Sequence, residues 1–248
     1  MSDSPAVEFQ HVSKSFGERK VLDDVSFQVG QGEALCILGR SGTGKSVTLK
    51  LMIGLLKPDS GSICVESEDI AKFGEDDLSR IRRDIGFLFQ SAALFDSFSL
   101  GDNLALPLRR LDKSKSPAEV RQAVDETLKQ VGLDLDKGKM PVELSGGMRK
   151  RAGLARALVL NPKLLLVDEP SSGLDSITAS EIDELLLKVK TERHTTLVIV
   201  THDIRGARRV ADKIAVLDKG CLVGFGTPRE LDSSDNEIVR QLVSESSS

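Results

Sequence analysis

Eight consecutive residues carry the clearest chemistry in this 248-residue chain: Gly39-Arg40-Ser41-Gly42-Thr43-Gly44-Lys45-Ser46. The spacing is that of a phosphate-binding loop, which arises by chance in roughly one chain of this length per hundred. Glycines let successive backbone N–H groups turn toward a polyphosphate, and the N-terminus of a following helix adds its positive dipole. In that setting Lys45 reaches the β- and γ-phosphates and the Ser46 hydroxyl holds Mg²⁺. An ordinary Gly-rich turn is the plain alternative, but the apolar run Ala34–Leu38 enters the loop and a helical pattern leaves it.

Downstream, Leu164-Leu165-Leu166-Val167-Asp168-Glu169 is an apolar run ending in two acids. Such a pair is often only a solvated strand end. After a phosphate loop it predicts Asp168 in the Mg²⁺ shell and Glu169 polarising a water in line with the γ-phosphate. Gln90 follows the run Ile85–Phe89, so its amide could reach the same metal or water. His202 follows Thr196–Thr201 and could hydrogen-bond the transferring phosphoryl group, although a lone His is more often structural. Leu144-Ser145-Gly146-Gly147 precedes a helix expected over Met148–Leu158, with Arg149, Lys150, Arg151 and Arg156 along it. Two glycines and a Ser at a helix N-terminus also suit an anion. Two phosphate-binding ends in one chain suggest action across a dimer.

These residues need a scaffold, and the patterning supplies one. Short β-rich runs alternate with helical spacing, as in an α/β fold. Val25–Val29 and Ala34–Leu38 read as strands and Val47–Leu56 as a helix on a sheet. Ile85–Phe89, Leu164–Val167 and Leu197–Val200 are the near-continuous apolar runs of buried parallel strands. Ser116-Pro117-Ala118-Glu119 predicts a capped helix carrying Val120, Val124, Leu128 and Val131, stopped by Gly132. Thr178–Glu181 reads as a capping box opening another helix, with Ile182, Leu185, Leu186 and Val189 on one face. Ser234-Asp235-Asn236-Glu237 reads as a third capping box, followed by the apolar stripe Ile238, Val239, Leu242 and Val243. A helical lobe around residues 90–160 is expected within a parallel-sheet core.

Composition narrows the classes. Hydrophobic residues make up 40% and charged residues 29%, ordinary for a globular chain. With 34 basic and 38 acidic residues the formal charge is −4, which argues against a nucleic-acid partner. No apolar run reaches the ~18–20 residues of a membrane span, and Met1–Phe9 carries no export signal. Three scattered cysteines form no disulfide framework and no metal-ligand spacing, as expected in a reducing compartment. Trp and Tyr are absent, so any aromatic stacking falls to Phe or His.

Taken together, the motifs make the sequence similar to the ATP-binding cassette family over nearly its whole length. Gly39–Ser46 resembles the Walker A loop, Gln90 the Q-loop, Leu144–Gly147 the signature and Leu164–Glu169 Walker B. Ser172-Gly173-Leu174-Asp175 resembles the D-loop and His202 the switch histidine. Phe16 sits where the family places an adenine-stacking aromatic. The resemblance implies a P-loop NTPase (RecA-like) parallel-sheet core with an antiparallel β subdomain and an inserted α-helical lobe. Residues 1–232 would form the ATPase domain and 233–248 a C-terminal helical extension with a Ser-rich tail. It also implies binding of ATP and Mg²⁺ by Gly39, Arg40, Ser41, Gly42, Thr43, Gly44, Lys45 and Ser46, with Asp168 and Gln90 completing the metal site. Glu169, His202 and Gln90 would serve hydrolysis. Ser145, Gly146, Gly147 and Asp175 would face the nucleotide of a second copy in a head-to-tail dimer, and the helical lobe would receive a transmembrane permease.

Phe89–Ser97, Asp102–Arg109, the Met148 that follows the signature glycines, and Ser233–Val243 bring a narrower likeness, to the cassettes of Mce-type and Mla phospholipid transporters. That likeness implies lipid transport at the cytoplasmic face of a bacterial inner membrane, with an Mce-domain lipid-binding protein and a small cytoplasmic accessory subunit as further partners. Met148 forgoes the polar contact a Gln usually supplies there. A cassette that signals to cell-division or cell-wall enzymes shares every catalytic motif and is the competing class. A solitary GTPase or kinase is disfavoured by the lack of an Asn-Lys-x-Asp motif, and a translation-type protein by the single cassette.

Overall fold

The computed structural model describes residues 4–112 and 114–244; the last residues of the expected Ser-rich tail, 245–248, lie outside them. The chain opens with β1 (Val7–Phe16), β2 (Arg19–Val29), β3 (Ala34–Gly39) and α1 (Lys45–Met52). It continues through β4 (Ser60–Val65), β5 (Glu68–Asp69), α2 (Glu75–Ile81) and β6 (Ile85–Leu88). Three helices follow: α3 (Leu100–Leu111), α4 (Pro117–Gln130) and α5 (Gly146–Leu158). Then come β7 (Leu164–Asp168), α6 (Ser176–Arg193), β8 (Thr196–Val200) and α7 (Ile204–Val210). β9 (Lys213–Asp218), β10 (Cys221–Gly226), α8 (Pro228–Asp232) and α9 (Glu237–Ser244) complete the described chain.

One sheet is antiparallel, ordered β2-β1-β4-β5, and the other is ordered β10-β9-β3-β8-β7-β6. Within the second, β9, β3, β8, β7 and β6 run parallel, and β10 pairs antiparallel with β9 at the edge. Every residue of β3, β6, β7 and β8 is buried, as their continuous apolar sequences require of strands covered on both faces. This is the P-loop NTPase arrangement expected above, antiparallel subdomain included. α3, α4 and α5 enclose an apolar cluster of their own, built on Leu100, Leu104, Leu108, Val124, Leu128 and Ala152.

Helix ends show where sequence spacing reads well and where it slips. Ser116 caps α4 through a full capping box: Glu119 N–H donates to its Oγ at 3.3 Å and its own N–H donates to Glu119 Oε2 at 2.7 Å. α1 ends at Met52 rather than Leu56, because Gly54 turns the chain at φ +67° against Leu78. α5 starts two residues earlier than Met148, so both signature glycines are helical.

Two of the three expected capping boxes are corrected. α6 is capped by Asp175, which accepts from the N–H groups of Ile177 and Thr178 and from the Thr178 hydroxyl. Thr178 therefore lies inside the first turn. At the C-terminus Asn236 Oδ1 accepts the Ile238 N–H, while Ser234 Oγ accepts from Asn236 N–H, so Asn236 and not Ser234 stands at the start of α9. Val239 and Val243 of α9 are fully buried in the same cluster as β3, β7 and β8, with Leu242 packed against it; Ile238 is partly exposed.

Candidate active site

β3 delivers the chain into the loop Arg40–Gly44, and α1 begins at once with Lys45. Gly42 and Gly44 hold φ of +79° and +101°, which side-chain-bearing residues rarely adopt. A Cβ on Gly44 would also lie 2.7 Å from both Leu22 Cδ2 and the Val21 carbonyl oxygen of β2. The carbonyls at the entry to the loop turn to Lys45: its buried Nζ donates to Gly39 O at 2.8 Å and Arg40 O at 3.1 Å. Thr43 Oγ1 also donates to Arg40 O. The first-turn N–H groups of α1 have no intrahelical partner and remain for an anion. Burial pushes the Lys45 ammonium below the usual lysine range, against the opposing pull of Glu169 and Asp168.

Parallel strands adjacent to β3 bring the acids to the same end. Ser46 Oγ donates to Asp168 Oδ1 at 2.9 Å, joining α1 to the last residue of β7. Glu169 follows in the left-handed region at φ +48°, its N–H donating to Val200 O of β8. Its side chain is mostly buried, with Oε1 4.0 Å from Lys45 Nζ. Oε2 pairs with His202 Nδ1 at 2.7 Å and accepts the His202 N–H at 3.3 Å. Gln90, after β6, donates from Nε2 to Ser172 Oγ at 3.4 Å.

A cavity of about 700 Å³ opens over these groups. Its lining joins Phe16, Arg19 and Val21 of the antiparallel sheet to the loop, Lys45, Ser46, Gln90, Glu169 and His202. Phe16 is half-exposed at its mouth, with Lys14 Nζ 5.7 Å from its ring centroid. Arg19, which sequence reasoning did not single out, donates to Gly42 O at 3.3 Å. Its only sequence signal is its place three residues after Phe16. A hydroxyl, a carboxylate and an amide oxygen from Ser46, Asp168 and Gln90 are the hard ligands that Mg²⁺ takes, phosphate oxygens supplying the rest.

Ser145, Gly146, Gly147 and Asp175 do not line this cavity. Ser145 Oγ instead accepts the Met148 N–H and caps α5, whose first turn contains no acid. The basic residues of α5 also divide. Arg149 donates to Leu144 O, whereas Lys150 is buried and its Nζ donates to Gln90 O at 2.6 Å and Glu169 O at 2.8 Å. Cys36 is buried among apolar side chains, and burial pushes its thiol far up, which leaves no reactive thiolate there.

Comparison with known proteins agrees with this geometry. Residues 22–172 match the ABC transporter family model. The chain is 46% identical over 238 residues to the probable ribonucleotide transport ATP-binding protein mkl of Mycobacterium leprae, covering 96% of this chain and 68% of that one. It is 40% identical to the sulfate/thiosulfate import ATP-binding protein CysA of Pseudomonas aeruginosa, covering 91% of this chain and 68% of the relative. The chain thus spans about two thirds of the length of these relatives. Among solved structures, the dimeric cassette MJ0796 in a post-hydrolysis state with ADP and Pi superposes with a TM-score of 0.83 at 35% identity, covering 89% of this chain and 98% of that one. The cbiO1 cassette of Clostridium perfringens gives 0.85 at 30% identity, covering 97% and 95%. A phosphate loop joined through Ser46 to the acid-tipped strand β7, on this fold, places the chain in the ABC transporter family as an ATP-binding, ATP-hydrolysing cassette that works with Mg²⁺.

Proposed function

We propose that this cassette drives a membrane transporter for phospholipid or another hydrophobic substrate, with Glu169 as the general base of hydrolysis. The observation that carries the catalytic part is the placement of the Glu169 carboxylate between Lys45 Nζ and His202, directly beyond the Ser46–Asp168 pair. Lys45 and the first turn of α1 bind the β- and γ-phosphates, and Ser46, Asp168 and Gln90 hold the metal. Mg²⁺ would offset phosphate charge when bound; Glu169 takes a proton from the attacking water, and His202 orients the carboxylate. Phe16 offers its ring to the adenine. Ser145, Gly146, Gly147 and Asp175 serve a second copy, which agrees with their lying outside the cavity of their own chain.

The substrate reading rests on Phe89–Ser97, Asp102–Arg109 and Met148, since the similar proteins are named for different solutes: ribonucleotide, sulfate or thiosulfate, and methionine. No helix among the described residues is long and apolar enough to cross a membrane. In this proposal the cassette sits at the cytoplasmic face of the bacterial inner membrane and a transmembrane permease partner provides the passage. Glu169→Gln tests the base: nucleotide binding is retained and hydrolysis slows by on the order of 10²–10⁴. Near-normal turnover removes Glu169 from that role. The substrate is tested by purifying the membrane complex in detergent and identifying what the permease retains; a permease with no bound lipid and lipid-independent turnover overturns the lipid assignment.

A further inference from the structure

We propose that Lys150 is a positioning residue for ATP hydrolysis: from the buried face of α5 its ammonium holds the main chain of Glu169 and Gln90 at one fixed spacing. The proposal rests on Glu169 being the base.

Lys150 sits with Gly147, Leu154 and Ala157 on the buried stripe of α5. Burying an ammonium is costly, and an apolar side chain of the same length would fill the space without that cost. What the ammonium adds is two donated hydrogen bonds, to Gln90 O at 2.6 Å and to Glu169 O at 2.8 Å. The second falls on a residue whose backbone needs support. Glu169 is a non-glycine at φ +48°, a conformation that persists only where its surroundings over-determine it. Val200 O takes its N–H, and its carbonyl oxygen accepts from Lys150 Nζ and, at 3.3 Å, from Ser172 N–H. Lys150 therefore sets the peptide that aims the Glu169 side chain toward Lys45 and His202. The bond to Gln90 O ties the turn after β6 to the turn after β7, and the Gln90 side chain already reaches Ser172 in that second turn.

Lys150 does not line the nucleotide cavity, so its loss is felt in the chemical step rather than in ATP binding. The test compares Lys150→Met and Lys150→Arg, with ATP turnover measured in the assembled membrane complex and equilibrium binding of a fluorescent ATP analogue measured separately. In Lys150→Met, kcat falls about 10- to 100-fold while Kd moves by less than about threefold, as when a buried charge-assisted hydrogen bond supports only the transition state. Lys150→Arg, which keeps a donor, recovers most of the turnover. In a Glu169→Gln background, single-turnover hydrolysis is nearly blind to Lys150→Met, because residues that act as a unit are non-additive.

Wild-type kcat in Lys150→Met, parallel loss of kcat and binding, failure of Arg to rescue, or additive effects with an impaired Glu169→Gln each overturn the proposal. Near-normal turnover of Glu169→Gln by itself overturns the base assignment instead, so the two failures are distinguishable. If Lys150→Met gives no cooperative melt, Lys150→Gln replaces it: turnover between those of the wild type and Glu169→Gln with unchanged Kd supports the proposal, and wild-type turnover overturns it.

Discussion

Removing the Lys45 side chain separates what the phosphate loop does for the nucleotide from what it does for the fold. Its ammonium has three N–H groups, and two are taken by Gly39 O and Arg40 O. One remains for a phosphate oxygen, and a charge-assisted hydrogen bond is worth about 1.5–3 kcal/mol. The unit charge adds attraction to the rest of the triphosphate, up to about 4 kcal/mol at 4 Å in an effective dielectric of 20. It also shields the phosphates from Glu169, whose Oε1 lies 4.0 Å from Nζ. These overlapping effects give about 3–5 kcal/mol, so Lys45→Ala is expected to weaken ATP binding by about 10²–10⁴. Without nucleotide the balance differs. The substitution removes a cation that burial already disfavours, and Arg40 O keeps the Thr43 hydroxyl; only Gly39 O loses its side-chain donor. Stability should therefore shift by no more than about 1 kcal/mol, the net value of one hydrogen bond. Binding is read by titration with a fluorescent ATP analogue and stability by calorimetry of the nucleotide-free chain. A Kd within about tenfold of wild type, less than ~1.4 kcal/mol, refutes the reasoning. Binding lost together with the melt would show instead that the loop does not stand without Lys45.

Two further outcomes follow from buried groups away from the nucleotide. Asp183 of α6 is buried, and desolvation, with Asp203 adding to it, raises its carboxyl from 3.8 to about 6. A folded pKa above the unfolded one penalises the fold most above pH 6 and not at all below the unfolded value. Asp183→Asn should therefore stabilise by about 3 kcal/mol at pH 8 and about half that at pH 5; equal denaturant midpoint shifts at both values would refute this. Val239 of α9 is fully buried, facing Gly224 across a gap too small for a Cβ. Val239→Ala removes two methyl groups and leaves a cavity, about 2–3 kcal/mol, lowering Tm by about 4–12 °C in a chain of this size. An unchanged Tm would mean that α9 does not depend on this contact.

Much of the fold was legible because its central strands are buried on both faces and so read as unbroken apolar runs. The nucleotide cavity was legible because most of its groups follow closely on four of those strands: the loop after β3, Gln90 after β6, Glu169 after β7 and His202 after β8. Helix starts were less so, since Asp, Asn, Ser and Thr all make caps and the sequence does not rank rivals. Asp175 lies three residues before Thr178 and takes the free N–H groups first; Asn236 lies two residues after Ser234 and does the same. Lys150 was missed for another reason. In a row of basic residues it reads as part of a solvated, anion-facing surface, and only its 3–4 spacing from Gly147, Leu154 and Ala157 marks it as inward-facing.

If Ser145, Gly146, Gly147 and Asp175 serve a second copy, as proposed, the hydrolytic site is not finished within one chain. The groups that line the cavity come from the antiparallel sheet, from the loop and first turn of α1 that follow β3, or from the turns after β6, β7 and β8, and these four are adjacent strands of one sheet. Ligands of open α/β sheets bind at such strand ends. α5 starts elsewhere: its N-terminus, with two glycines, no acid in the first turn and Ser145 as cap, does not line the nucleotide cavity of its own chain. A second copy arranged head to tail would supply an anion there, the γ-phosphate bound at its own Lys45. α5 would then touch one nucleotide through its N-terminus and, one turn later through Lys150, hold the base that acts on the other. A displacement of the helix by one phosphate would be felt by the Glu169 peptide of the opposite site, since both contacts lie on a single rigid element.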